Sequence, residues 1–237
     1  MSQIPSSVSL RYFDITGRAQ PLRDLLHDAS VDFEDIRESR ASGIDGSWAQ
    51  KSSDPQMGGP FGTLPVLQWG DVQVAQTEAI AWFLGQHLGY GGSNIETSAR
   101  VMALCSAAHQ DLVQPLGMLL WQPVMYPNID LKMPAGLMLD RILKVLKALE
   151  KQIGDDSYFL GKEPTTGDFF VYEAVWAVAD VFGSSILADH ERLKTWMNRI
   201  ESRPRLQNSL ANRPEFFTSC PIESETRAQL KAWFSPE

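Results

Sequence analysis

The periodicity of the apolar residues changes near Ser93, and that change limits the folds open to the chain. Before it, short stretches with the two-residue period of strands mix with one-sided helical patterns; after it, every patterned segment is helical. Such a chain folds as a small α/β unit followed by an all-helical one. The boundary falls at the linker Tyr90-Gly91-Gly92-Ser93, giving units of residues 1–90 and 91–237.

Within the first unit, Val8 to Phe13 reads as a short buried strand. Leu22, Leu25, Leu26 and Ala29 then recur on one helix face, with Pro21 suited to the first turn. Val31 and Phe33 alternate with Asp32 and Glu34, which predicts a second strand, and the Gly/Ser/Asp/Pro-rich segment 39–62 reads mostly as loop. Pro65 to Gln68 and Val72 to Val74 flank Gly70-Asp71, a hairpin turn. Ile80, Phe83, Leu84 and His87 mark a helix that stops at Gly89. The order is β-α-β, loop, β-β-α.

Beyond the linker, Val101, Leu104, Cys105, Ala108 and Leu112 form one helical seam, and Ile142, Val145, Leu146, Leu149 and Ile153 another. Thr165 and Asp168 form a box in which each caps the other's backbone N–H, starting a buried helix. Further helices are expected over roughly 191–201 and 226–234.

Several function classes find no support. Acidic residues outnumber basic ones by 29 to 21 with no run of five Lys or Arg, so nucleic acid is not an expected partner. Cys105 and Cys220 belong to no C-x-x-C motif and read as free thiols of a reducing compartment. His27, His87, His109 and His190 lack ligand spacing, so no metal is expected. The charge-free stretch from Leu112 to Ile129 carries Gln114, Gln122, Asn128 and Pro115, Pro123 and Pro127, which argues against a membrane span. Met1 to Val8 has no secretory pattern, and a cytoplasmic location is expected. Motifs of serine hydrolases, kinases and Rossmann enzymes are absent.

The order of five short motifs is more specific than any one of them. Arg11-Tyr12-Phe13, Gly17-Arg18-Ala19, Thr63-Leu64-Pro65-Val66, Gln76-Thr77 and the box from Thr165 to Asp168 together resemble the cytosolic glutathione transferases across nearly the whole chain. The tyrosine-type classes, alpha, mu, pi and sigma, are most similar. The resemblance implies a thioredoxin-like N-terminal domain that binds glutathione, without metal, and an all-α C-terminal domain that forms the electrophile pocket.

It also implies roles for particular residues. Tyr12 stabilises the glutathione thiolate through its O–H, and Arg18 adds positive potential beside it; Ser7 and Ser9 are the competitors for that role, as in the serine-using classes. A free thiol of pKa about 8.5 is only about 3% ionised at pH 7. Lowering it by about two units makes roughly three-quarters of it thiolate, a stabilisation of about 2.7 kcal/mol. Leu64, before a cis-prone Pro65, pairs its main chain with the cysteinyl backbone. Gln76 precedes Thr77, an expected N-cap whose neighbouring N–H groups hold the γ-glutamyl carboxylate, beside an awkward Glu78. Trp48 and Lys51 fall where the family holds the glycyl carboxylate, and Asp111 where it reaches the glutathione of the partner subunit.

Phe61 matches the aromatic that the family inserts into its partner, which implies a homodimer. Ile15, Met118, Trp121, Trp233 and Phe234 are candidates to line the electrophile pocket, the last two from a tail resembling a lid helix. The implied activity is conjugation of glutathione to hydrophobic electrophiles by substitution or Michael addition, a detoxification chemistry. Glutathione-dependent isomerisation of a prostaglandin or steroid, and a non-catalytic ligandin or structural role, are the alternatives.

Overall fold

The computed structural model of the chain describes residues 4–39, 46–126, 129–214, 216 and 221–234. Its first strand, β1 (Val8–Phe13), buries Val8, Leu10 and Tyr12 on one face and leaves Ser9, Arg11 and Phe13 partly exposed on the other. Helix α1 (Gln20–Asp28) carries Pro21 in its first turn, where the missing N–H costs nothing, and buries Leu22, Leu25 and Leu26 completely. The second strand, β2, spans Glu34–Glu38 and not the expected segment from Val31. Its register gives the reason: Ser9, near the start of β1, pairs with Glu34, so residues 31 and 32 fall opposite residues that precede β1 and have no strand to bond them.

The segment expected as loop contains three short helical pieces: α2 (Ser47–Lys51), α3 (Pro55–Gly58) and a 3-10 turn (Gly59–Phe61). Asp54 and Pro55 are an N-cap and first-turn pair, with Asp54 Oδ1 accepting from the Gln56 N–H at 2.9 Å. The surrounding glycines and serines masked that signal. After a cis Leu64–Pro65 peptide, β3 (Val66–Trp69) and β4 (Val72–Ala75) form the expected hairpin, with Gly70 at φ 58 supplying the left-handed turn residue. The four strands lie in the order β2-β1-β3-β4; β1 is parallel to β2 and antiparallel to β3. Helix α4 (Thr77–Leu88) ends at Gly89, whose N–H bonds to the Gly85 carbonyl.

The rest of the described chain forms helices and no further strand of the sheet. Helix α5 (Ile95–Ser106) opens with a capping box between Asn94 and Thr97 and runs through a π-helical turn (Ala107–Val113) into α6 (Gln114–Met125). Pro115 is the second residue past that turn. Its ring crowds the carbonyl four residues back and it has no N–H to offer, so the bonding slips by one residue and the Gln114 N–H bonds to His109.

Helices α7 (Lys132–Ile153), α8 (Thr166–Phe182), α9 (Glu191–Glu201), α10 (Gln207–Ala211) and α11 (Pro221–Phe234) complete the chain, α11 starting five residues before the expected Thr226. Helix α8 is buried almost all round and packs on α1, α5 and the π-helical turn. None of the described helices is long and apolar enough to cross a membrane. Cys105 is a buried free thiol; Cys220 lies outside the described residues.

Candidate active site

The loop between β1 and α1 forms one wall of a cavity of about 430 Å³, and the π-helical turn and α6 form another. Six of the expected residues meet there: Tyr12, Ile15, Arg18, Trp48, Met118 and Trp121. Phe13, Gly17, Val113, Gln114, Gly117 and Phe216 complete the lining. Val113, Gly117 and Trp121 recur every four residues, a stripe legible in the sequence, of which the sequence reading includes only Trp121. Phe216, outside any helix, carries no periodic signal. Ser7 and Ser9 line a different groove, with Asp32 and Phe33.

Tyr12 is the hinge of the geometry. Its Oη accepts the Arg18 backbone N–H at 3.2 Å, so the loop that carries Arg18 is folded back over the phenol. Gly17 makes that approach possible: at φ 41, a Cβ there would stand 2.7 Å from the Tyr12 Oη and 3.0 Å from its ring. The Arg18 side chain is exposed and lines the cavity. Trp48 meets Phe13 edge to face, 5.6 Å between ring centres.

Beneath Tyr12 lies a residue that sequence reasoning missed. Arg23, 1% exposed, donates from Nη1 to the Ile15 carbonyl at 2.9 Å, from Nη2 to the Phe13 carbonyl at 3.3 Å and from Nε to Asp35 at 3.0 Å. Its guanidinium carbon lies 5.9 Å from the centre of the Tyr12 ring. Burial lowers the guanidinium's pKa from its ordinary value, with Asp35 opposing. Two carbonyls at the start of the loop after Tyr12 are thereby tied to one buried cation. A charged residue among the leucines of α1 was the available signal.

The other expected residues lie outside the cavity lining. At the start of α4, Gln76 and not Thr77 is the N-cap: Gln76 sits at φ 73 and ψ 126 with no capping side-chain bond, and Thr77, 2% exposed, is the first helical residue. A non-glycine residue at that φ is strained by roughly 1–3 kcal/mol. Glu78 turns away toward the π-helical turn, where its Oε1 meets His109 Nδ1 at 2.6 Å and accepts from Gln110 Nε2 at 3.1 Å. The His109 bond is the main reason its carboxyl is pulled down to about 2.

Lys51 Nζ bonds Glu38 Oε2 at 3.0 Å, and Arg11 pairs with the other oxygen of the same carboxylate. Burial alone would raise the Glu38 pKa, but the bonds from Lys51 and Arg11 hold it below its ordinary value. Asp111, on the π-helical turn, pairs with Arg141 of α7. The backbone of α11 packs on α6, α7 and α8, while the side chains of Trp233 and Phe234 lie outside the described residues.

Comparison with known proteins accords with this architecture. Residues 111–213 match the family model described as the glutathione S-transferase C-terminal domain. A glutathione S-transferase of Tyrophagus putrescentiae is 31% identical over 213 residues, covering 88% of this chain and 92% of the relative. A hematopoietic prostaglandin D synthase of Gallus gallus is 29% identical, covering 87% and 96%. Among solved structures, the glutathione S-transferase from Ascaris lumbricoides superposes with a TM-score of 0.73 at 26% identity, covering 88% of this chain and 98% of its own.

Proposed function

Because the chain belongs to the glutathione S-transferase family, we propose that it activates the thiol of glutathione and conjugates it to hydrophobic electrophiles. The observation that carries the reading is Tyr12 at the cavity wall, its Oη held by the Arg18 N–H. A phenol remains a hydrogen-bond donor at neutral pH, and accepting a bond makes its O–H a stronger one. Donation to the sulfur favours the ionised thiol, and the exposed Arg18 guanidinium supports the same charge.

Residues 1–90 bind glutathione as co-substrate and residues 91–237 supply the electrophile's wall. The uncapped start of α4 at Gln76 and Thr77 offers N–H groups to a carboxylate, and Leu64 before Pro65 offers its main chain to the cysteinyl unit. Trp48 and Lys51 serve the glycyl end, and Asp111 the glutathione of a partner subunit. Ile15, Met118, Trp121 and, from the tail, Trp233 and Phe234 receive the electrophile; Met118, 60% exposed, has the free apolar surface such a role requires. A cytoplasmic homodimer, sealed by Phe61, is part of the same reading.

The test is the ultraviolet absorbance of the bound thiolate against pH. In wild type its midpoint falls about two units below that of free glutathione, and Tyr12→Phe returns it upward. An unshifted midpoint in both proteins, or no bound glutathione, discards the reading. Resemblance to the prostaglandin D synthase favours a second reading, glutathione-dependent isomerisation at the same sulfur. Conjugation consumes thiol with each turnover and isomerisation returns it, which separates the two.

A further inference from the structure

A guanidinium is a costly group to bury, yet Arg23 is 1% exposed, with its central carbon 5.9 Å from the centre of the Tyr12 ring. Two loop carbonyls can be held by neutral donors; what an arginine adds is charge. The bonds set the direction of that charge. Nη1 and Nη2 turn to the Ile15 and Phe13 carbonyls of the loop after Tyr12, and Nε turns to Asp35 of β2. The positive end of the ion pair therefore faces the loop and the phenol, and the carboxylate stands on the Nε side.

A guanidinium stays protonated even where burial lowers its pKa, and out of water its field is screened less than that of the exposed Arg18. Negative charge on Tyr12 is among the influences that raise the Arg23 pKa, so the two groups feel one another. The other charged or titratable groups around Arg23 leave this field standing. Arg37 of β2 is bonded to Asp35 and to Asp14 at 2.8 Å each. On α1, Asp24 accepts from Gln20 at 2.9 Å and Ser209 at 2.7 Å, and burial lowers the His27 pKa toward the neutral ring. On α8, burial raises the Glu173 pKa well above its ordinary value against the pull of Arg213.

Resting on the glutathione reading, we infer that Arg23 is a positioning residue for the thiolate in an electrostatic sense: it presents buried positive charge to the sulfur through the Tyr12 phenol, and Asp35 sets how much of that charge is left. Arg23 touches neither glutathione nor the sulfur in this assignment. Its charge, and not only its bonds to the loop, favours the anion.

The experiment titrates the thiolate absorbance of bound glutathione, at saturation, in wild type, Asp35→Asn, Arg23→Lys, Arg23→Gln and the double variant Arg23→Gln/Asp35→Asn. Asp35→Asn keeps an oxygen for Nε and leaves both carbonyl bonds in place, but it removes the countercharge. Its midpoint falls about half a unit below wild type, the effect of a unit charge roughly 12 Å away in a medium between protein and water. Arg23→Gln raises the midpoint by about one unit, and Arg23→Lys, which keeps the charge and loses the fork, stays within about 0.3 unit of wild type. The double variant is neutral at both positions, and its midpoint lies between those of wild type and Arg23→Gln.

A residue that only braces the loop gives another pattern: Asp35→Asn unmoved or raised, or Arg23→Lys raised as far as Arg23→Gln. Either result overturns the inference and leaves the glutathione reading intact, because wild type still binds glutathione with a lowered midpoint. If the two glutamine variants fail to fold, Asp35→Asn decides by the sign of its shift and Arg23→Lys by whether it holds the wild-type midpoint. A wild-type midpoint equal to that of free glutathione, or no bound glutathione, overturns both.

Discussion

Gly17 is where one atom decides the site. Its φ of 41 and the 2.7 Å that would separate an added Cβ from the Tyr12 Oη mean that no side chain fits without moving the phenol. Gly17→Ala is therefore expected to displace Tyr12 and lower kcat/KM by about 10–100-fold, since a misplacement near 1 Å costs that much at a reacting centre. The accompanying loss of stability is about 1–2 kcal/mol, from the strained backbone. Steady-state kinetics beside a denaturant titration checks both, and an unchanged kcat/KM would show that Tyr12 is not the group that matters. Arg23 works at the same scale from below: its bonds to the Phe13 and Ile15 carbonyls fix the loop in which Gly17 sits. The motif Gly17-Arg18 was legible in the sequence because its residues are adjacent. Arg23 was not, because its meaning lies in carbonyls that only the folded loop brings to it.

Among the elements, legibility followed the range of the interaction. Hairpin, α4 and α9 were readable because turn residues and period are local, as was the Thr165-x-x-Asp168 box; the Asn94–Thr97 box that opens α5 emerges only in the structure. The start of β2 depended on its pairing with β1, and the π-helical turn on how Pro115 met the preceding carbonyls, so neither could be read from its own residues. The Thr165–Asp168 box shows how far a local signal can understate its consequences. Asp168 accepts from Thr165 N at 2.8 Å and Thr165 Oγ1 at 2.9 Å, as the pattern implies, but also from Phe159 N and Trp196 Nε1 at 3.1 Å each. It is both the cap of α8 and the bond that ties α9 to it, and burial raises its pKa against the pull of those donors. Asp168→Ala leaves several buried donors unpaired and is expected to cost about 3–5 kcal/mol in urea unfolding. A loss under about 1 kcal/mol would mean that other groups satisfy those donors.

At the scale of the whole molecule, the α/β part and the helices are joined by buried polar bonds as well as by apolar packing. Asp28 of α1 receives Arg203 at 2.6 and 2.7 Å and the Tyr90 hydroxyl at 2.8 Å, and Asp24 accepts from Ser209 at 2.7 Å. Bonds of this kind fix the orientation of α1 against the segment that follows α9. The apolar surface left over is a separate matter. Phe61 is 62% exposed in a turn between Gly59, Pro60 and Gly62 that has little core of its own, and Met133 and Leu137 stand out from the first turns of α7. A single exposed apolar side chain is ordinary on a protein surface; what singles out Phe61 is its place in a turn with little core to join. In the proposed homodimer, sedimentation equilibrium at micromolar concentration gives twice the 26.5 kDa of one chain. Phe61→Ser shifts the mass toward the monomer because it empties the contact without touching the fold of either unit, while a wild-type monomer under the same conditions removes the dimer and, with it, any role for Asp111 across the interface.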